Sequence, residues 1–447
     1  MCGLAGFIPS SVVSATDKVN VQKMMDAGSH RGPDSNDLFA NECLVLAHAR
    51  LAIIDVGPSA NQPMTISGYT LVFNGEIYNY KEIRSELISL DIKFDTQGDT
   101  EVVLRAFIKW GNEAVKKFNG MWALAIYDVN KRELFFSRDR FGEKPLYFYN
   151  THEGLYFASE VKQILEVVAS PKFNRDIAIS YLLGGMENHT EQTFIQGVYS
   201  LSAGTNVIYD FNTGMGIPET YYNLDAAIRS DNGVHDYNKS EFSELFEDSV
   251  RLRLRSDVQV GLCVSGGIDS TAIAVAASKV LGDDRSKLLS GLHMSSFEPQ
   301  YDESEFAKAL AKKSGLQLDI VMPDADTLQS QIDEVARCQD EPFGGPSMLM
   351  GMNLYSHASH KGLKVMLSGQ GADEVFLGYD RYVSAAASFG ELKTFKGIIA
   401  NLDRTGLSLK QFIQYIIYFR SSNIRSLITR RRSFVRPEVL AQYADKD

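Results

Sequence analysis

Through the first two hundred residues, apolar and polar positions alternate in short runs: CGLAGFI, LVLAHARLAIIDV, YTLVFNGEIYNY, WALAIYDV, ELFFSRD, PLYFYN and GLYFASE. Each run is rich in aliphatic, β-branched or aromatic residues and is bounded by turn formers, the pattern of half-buried strands. KEIRSELISL and TEVVLRAFIKWG carry helical spacing instead. The prediction for residues 1–210 is therefore an α+β domain of stacked sheets with helices on the outside.

From Tyr209 to Tyr237 the stretches DFNTGMGIPETYYNL and RSDNGVHD concentrate Gly, Asn, Asp and Pro, which marks a linker over 211–237. The period then changes. EFSELFEDSVRLRLR places Phe242, Leu245, Phe246 and Val250 on one helix face. VQVGLCV reads as a buried strand, followed by SGGIDS and the helical TAIAVAASKVL. Strand, glycine loop and helix recur in KVMLSGQGADEVF. LSGLHMS and QLDIVM are further strands between helices such as ESEFAKALAKKSG. Such alternation predicts a doubly wound, parallel α/β domain over 238–447, with ligands at the carboxyl ends of its strands.

The 447 residues, 44% hydrophobic and 23% charged, fit an ordinary soluble protein of two large domains. A net charge of -11 argues against a general nucleic-acid binder, which needs a basic face. Arg251, Arg253 and Arg255, and later Arg430, Arg431 and Arg432, are expected to be solvated faces. Cys2, Cys43, Cys263 and Cys338 lie far apart with no CxxC pair and no leader ahead of them. Neither a disulfide framework nor a zinc site is predicted, and a cytoplasmic location is expected. No apolar run approaches the ~18 residues of a membrane helix.

In VSGGIDS, Gly266 and Gly267 allow backbone N–H groups to approach a phosphate, while Ser265 and Ser270 add hydroxyls ahead of a helix. Asp269 would repel a bare anion, so a bridging Mg2+ is expected beside it. No GxxxxGKS/T sequence occurs, which excludes the loop that cleaves a γ-phosphate. The alternative is a glycine turn whose Ser and Asp cap a helix. SGQGADE repeats the pattern with Ser368, Gly369, Asp373 and Glu374, so the same crevice could receive two acidic groups for a metal and two more small donors.

MCGLAGF, HRGPDS, AHARLAIIDV, FNGEIYNY, GDTEV, GMWALAIYD, RDRFGEKPLY and FASEVK follow one another in order. Together they resemble the class II, N-terminal-nucleophile glutamine amidotransferases. With SGGIDS and SGQGADEVFLGYDRY added, the whole chain is similar to the glutamine-hydrolysing asparagine synthetases. The resemblance implies an Ntn-hydrolase-like first domain and an adenine nucleotide α-hydrolase-like second one. It makes Cys2 the nucleophile once Met1 is removed, with its own α-amine as base. Asn74 and Gly75 would form the oxyanion hole. Arg50 would read the glutamine α-carboxylate and Asp99, helped by Glu76, its ammonium. For Arg50 and Asp99 the alternatives are a surface salt bridge and a helix N-cap. His30, Arg31, Asp34, Arg138 and Asp139 are expected to pin loops, and His48 to be a core histidine.

The same resemblance implies ATP contacts at Cys263, Ser265, Gly266, Gly267, Asp269, Ser270, Ser295, Ser368 and Gly369, and Mg2+ at Asp269 and Asp373. Ser295 departs from the family's usual aliphatic residue. The reaction implied is amidation of L-aspartate through an acyl-adenylate, with glutamine and ATP consumed and ammonia carried through an internal passage. A homodimer is compatible with it; membrane and nucleic-acid partners are not expected. Gln370 stands where relatives carry an acidic residue, and nothing in the last forty or so residues matches the LEVRSPFLD-like stretch of relatives. The chain is accordingly expected to be short at its C-terminal end. These departures keep three further readings open: a different carboxylate acceptor, such as a sugar acid or β-lactam precursor, a glutaminase with an impaired synthetase half, or a protein that binds nucleotide without turnover.

Overall fold

Strands form where the first-half runs alternate. The computed structural model describes residues 1–230, 238–282, 288–296, 298–323, 329–390 and 392–421. Arg430–Arg432 and residues 231–237 of the linker lie outside the described residues. In chain order the strands are β1 (Gly3–Pro9), β2 (Ser35–Ala40), β3 (Val45–Arg50), β4 (Met64–Ile66), β5 (Tyr69–Ile77), β6 (Gly120–Asp128), β7 (Glu133–Arg138), β8 (Tyr147–Asn150), β9 (Gly154–Ala158), β10 (Val198–Ser200), β11 (Thr205–Asp210), β12 (Gly214–Met215) and β13 (Glu219–Thr220). They build one antiparallel sheet in the order β10-β8-β9-β1-β3-β2 and a second in the order β12-β11-β7-β6-β5-β4, with β13 beside β11. The run LVLAHARLAIIDV is only half strand: β3 stops at Arg50, and Leu51–Val56 is irregular because its backbone groups serve the site described below.

Alternation sorts the side chains into three apolar layers. Leu4 and Ile8 of β1, Leu46 of β3, Val72 of β5, Ala123 and Ala125 of β6, Phe136 of β7 and Phe157 of β9 meet between the sheets. The intervening residues face outward under helices. Ala5, Phe7, Val45 and Ala47 pack on Val21, Met24 and Met25 of the helix Ala15–Ala27. Leu71, Phe73, Trp122 and Leu124 pack on Ile83 and Leu87 of the helix Tyr80–Ser89 and on Val102, Val103 and Ala106 of the helix Asp99–Trp110. The result is the expected helix, sheet, sheet, helix stack.

Four parallel strands follow: β14 (Val260–Cys263), β15 (Leu288–Met294), β16 (Gln317–Val321) and β17 (Val365–Leu367), in the order β16-β15-β14-β17. Neighbours on β17 show that both faces are covered. Leu367 belongs to a cluster with Ala274, Ala307 and Leu310, whereas Met366 packs against Leu292, Leu354 and Ala358. The doubly wound arrangement is thus as predicted. In the helix Lys239–Arg253 only part of the proposed apolar face is used: Phe246 and Val250 pack on Ala276 and Ala277, while Phe242 and Leu245 stay exposed.

Two compact units emerge. One comprises Met1–Phe173, Thr190–Gly267 and Thr271–Leu367, and so holds both the sandwich and the parallel sheet. The other comprises Asn174–His189, Ile268–Ser270 and Ser368–Asp447. Its helices Asp380–Phe389 and Leu409–Arg420 share a small core of Ala387, Leu407 and Phe412. Among the described residues no helix is long and apolar enough to cross a membrane.

One expectation about charge is corrected. Arg251 is a solvated residue paired with Asp248, but Arg255 is largely covered, with an ion pair to Glu82 at 2.5 Å and a 2.7 Å hydrogen bond to the Tyr78 carbonyl. Arg253 lies over the Tyr78 ring at 4.8 Å. These arginines grip the sandwich edge, a role that spacing of two along a helix end does not reveal.

The inter-sheet layer sets stability in the first unit. Phe136 is fully buried, edge-on to Phe148 and Phe157 at centroid distances of 5.0 and 4.9 Å. Phe136→Ala is expected to lower stability by about 3–5 kcal/mol, read as an earlier denaturant midpoint by tryptophan fluorescence.

Candidate active site

Strand parity gathers the first site. Val72 faces the space between the sheets, so Asn74 and Glu76 take the same side of β5. Leu46 does the same for His48 and Arg50 on β3, and Leu4 for Cys2, just ahead of β1. At this end of the sandwich the apolar layer gives way to polar groups.

The Cys2 sulfur accepts the Leu51 N–H at 3.4 Å, and its carbonyl accepts from Arg31 Nε at 2.9 Å. Arg31 Nη1 is 2.6 Å from Glu160 Oε1, and Glu160 also takes His30 at 3.0 Å and Lys162 at 2.8 Å. Against the cost of burial, these partners hold the Glu160 carboxyl down at about 2. Burial raises the Cys2 thiol above its ordinary range, with the Leu51 bond and the terminal charge opposing. The α-amine beside it, carried by Met1, is lowered to about 6, by burial first and then by the charges of Arg31 and Lys144. A thiol that resists ionisation therefore adjoins an amine that is mostly neutral near pH 7.

Asn74 is completely buried, and among the described residues neither the oxygen nor the nitrogen of its side-chain amide has a hydrogen-bond partner. Buried amides are rarely left so. Its neighbour must be glycine: a Cβ on Gly75 would stand 2.2 Å from the Met121 carbonyl, across the pairing of Gly75 with Trp122.

Arg50 departs from the surface-salt-bridge alternative. It is buried, and Nη1 donates to the Gly57 carbonyl at 2.8 Å and Asn61 Oδ1 at 2.7 Å, while Nη2 donates to the Asp55 and Ile54 carbonyls at 2.5 and 3.4 Å. The irregular loop after β3 thus orients the guanidinium, and a carboxylate received there must share or displace these acceptors. Asp99 is not an N-cap. Gly98 holds that position, and Asp99 Oδ2 accepts the Ile77 N–H at 2.9 Å. Burial lifts Asp99 to about 6 against that bond. Glu76 is pushed well above the carboxylate range, by burial and then by Asp99, with Lys144, the terminal amine and Arg50 opposing.

Lys144 escaped the sequence reading although RDRFGEKPLY contains it. It is buried, its Nζ meets the Met1 sulfur, and burial brings it down to about 8. A lysine between Glu143 and Pro145 gives no sign of this. His48 is the core histidine expected, with Nε2 3.0 Å from the Phe73 carbonyl and burial lowering it to about 4. Asp34 accepts the Ala52 N–H at 2.7 Å. Arg138 donates to the Lys144 and Gly142 carbonyls, both at 2.8 Å, and Asp139 accepts from the Phe141, Glu143 and Lys144 amides. All three pin loops.

At the parallel sheet, β14 pairs with both β15 and β17, so the segments after Cys263, Met294 and Leu367 leave from the same edge. In the first unit, Gly266 has φ +85°, and a Cβ there would meet Phe306 Cβ at 2.8 Å. Ser265 Oγ accepts the Gly267 N–H at 3.2 Å. Gly267 is the N-cap of the helix Ile268–Leu281 without a side-chain capping bond. Cys263 is a neutral thiol, raised to about 11 by burial. Ser295 is buried, and its hydroxyl donates to the Val321 carbonyl at 3.2 Å. In the second unit, Gly369 packs so closely that a Cβ would lie 3.1 Å from Asp269 Cβ and 3.2 Å from the Ser270 nitrogen. Asp373 lies in the short helix Ala372–Phe376, and its carbonyl accepts the Gly378 N–H at 2.9 Å.

A glutamine amidotransferase domain model matches residues 1–222, and an asparagine synthase model matches residues 241–438. A Methanocaldococcus jannaschii protein, provisionally named glutamine-hydrolyzing asparagine synthetase 2, is 34% identical over 85% of this chain and 76% of its own length. The chain belongs to the glutamine-hydrolysing asparagine synthetase family. Asparagine synthetase 2 of Bacillus subtilis is 33% identical over 90% of the chain, yet only 55% of that protein is covered. A Gibberella zeae relative named an amidase is 29% identical, over 86% of this chain and 60% of its own length. The chain thus spans between about half and three quarters of these relatives.

The raised Asp99 pKa has a definite sign for stability. Between its ordinary value of 3.8 and about 6 the unfolded chain has lost this proton while the folded one keeps it. This contribution to stability therefore falls as pH rises through that window. Asp99→Asn, which retains an acceptor for the Ile77 N–H, is expected to flatten the fall, as measured by denaturation midpoints across the window.

Proposed function

We propose that the chain releases ammonia from glutamine at Cys2 and delivers it to a carboxylate activated as an acyl-adenylate. L-aspartate would be the acceptor, and L-asparagine, glutamate, AMP and pyrophosphate the products. Membership of the family and the order of its two domain models support this reading. The observation that carries it is Asn74, a wholly buried amide with no hydrogen-bond partner among the described residues, beside Gly75 and on the Cys2 side of β5.

Once Met1 is removed, the α-amine belongs to Cys2. The site's burial, which already lowers the Met1 amine and raises the Cys2 thiol, would favour a neutral amine beside a protonated thiol at that position too. The amine takes the thiol proton as sulfur attacks the side-chain amide of glutamine. Charge then collects on the amide oxygen, where Asn74 Nδ2 and the Gly75 N–H can donate to it. The amine returns that proton to the leaving nitrogen as the intermediate collapses and ammonia departs, and water then cleaves the thioester to glutamate and the free thiol. Arg50 takes the α-carboxylate. Asp99 and Glu76, two acids that oppose each other's ionisation, take the ammonium, which relieves that repulsion.

In the synthetase half, the acceptor carboxylate attacks the α-phosphate of ATP, pyrophosphate leaves, and ammonia displaces AMP. Ser265, Gly266 and Gly267 in the first unit, and Ser270, Ser368 and Gly369 in the second, would offer backbone N–H and hydroxyl groups to phosphate, and Cys263 and Ser295, at strand ends of the first unit, are proposed as further nucleotide contacts. Asp269 and Asp373 are hard oxygen donors that suit Mg2+. Among the described residues no cluster of three or more His, Cys, Asp or Glu side chains gathers, so phosphate and water would complete the shell. When bound, the ion neutralises charge on the departing pyrophosphate.

Gln370 favours a second reading with another carboxylate as acceptor, and the relative named an amidase shows that names within the family differ. A coupled assay of glutamate and AMP, with mass analysis of the amide formed from aspartate and from other carboxylic acids, separates the two. Cys2→Ala is expected to abolish glutamate release and spare amidation by added ammonia. Asn74→Ala is expected to lower glutaminase kcat by about 10²–10³-fold; a wild-type rate would sink the proposed oxyanion role.

A further inference from the structure

The loop that orients Arg50 is tied to two other places through a single residue. Asp55 has φ +51°, a left-handed backbone that Asp tolerates better than most side chains. Its carbonyl accepts from Arg50 Nη2 at 2.5 Å. Its side chain accepts the Gln97 N–H at 2.7 Å, two residues ahead of Asp99. Its own N–H donates to Asp257 Oδ2 at 2.7 Å, and the Asp257 N–H returns a 3.0 Å bond to the Ile53 carbonyl. Asp257 lies three residues before β14, the strand that runs into the SGGIDS loop. Two residues earlier, Arg255 holds the Tyr78 carbonyl, next to Ile77, whose N–H is bonded to Asp99.

We infer that Asp257 is a positioning residue for glutamine: through Asp55 it sets the loop that aims Arg50 and the turn that presents Asp99, so the segment feeding the synthetase strand adjusts the grip on both ends of the substrate. The inference rests on the reading of Arg50 and Asp99 as the groups that receive glutamine. Asp257 touches no reacting atom. Its carboxylate fixes a turn that would otherwise relax, because the left-handed Asp55 is held from three sides. Removing one hold frees the carbonyl that orients Nη2 and the carboxylate that anchors Gln97 together.

The test uses the full chain and two variants. Asp257→Ala is expected to raise the glutamine KM about tenfold, the loss of one charge-assisted hydrogen bond, with glutaminase kcat and ammonia-dependent amidation within about twofold of wild type. Asp257→Asn, which keeps an oxygen acceptor, is expected to recover most of the lost affinity. An unchanged KM in the alanine variant overturns the inference, as do equal losses in glutamine- and ammonia-dependent turnover. Amide hydrogen exchange gives a readout independent of activity: exchange at Asp55 and Gln97 should quicken in Asp257→Ala while Ile77 stays protected. Unchanged exchange at Gln97 overturns the inference even if the chain proves to hydrolyse no glutamine, an outcome that would by itself refute only the reading of the site.

Discussion

Two antiparallel sheets can bury their inner faces only if every second residue on facing strands is apolar, and that same alternation fixes which residues are left at the open end. Here the register of β1, β3 and β5 carries Cys2, Arg50, Asn74 and Glu76 to the end where the apolar layer stops. A one-residue slip of any of these strands would turn its core residues outward and take its site residue with them. Packing of Leu4, Leu46, Val72, Phe136 and Phe157 is thus also what places the chemistry.

The electrostatics of the site follow from its depth. Burial shifts the Cys2 thiol up and the Met1 amine down, and it raises both Asp99 and Glu76, so that these two acids resist ionisation together. Cations near the pocket, Arg50 and Lys144, partly offset that. In the glycine loops after β14 and β17 the backbone itself packs closely: a Cβ on Gly266 would clash with Phe306, and one on Gly369 would be tight against Asp269 and Ser270.

The irregular stretch after β3 links these parts. Its backbone carbonyls orient Arg50, its Leu51 N–H reaches Cys2, and Asp55 ties it to Gln97 and Asp257. Backbone groups that serve side chains cannot also serve a sheet ladder, which is why an apolar run that reads as strand does not continue as one.

Periodicity by itself determined strands β1, β3 and β5–β9, the parallel strands, the long helices and the glycine loops, because each is a local consequence of side-chain spacing and turn chemistry. The short or polar β2, β4 and β10–β13 carried no such signal, and β12 and β13 lie in the stretch read as linker. Ordered motifs also marked Cys2, Asn74, Gly75 and Asp99 through a resemblance to known enzymes. Tertiary structure decided the rest. That Arg50 is clasped by carbonyls, that Gly98 rather than Asp99 caps its helix, that Lys144 is buried and that Arg255 and Asp257 hold the sandwich edge all depend on partners between 4 and 202 positions away in the chain. Spacing along a sequence carries no record of such partners, since burial and hydrogen bonding are settled only when distant segments meet.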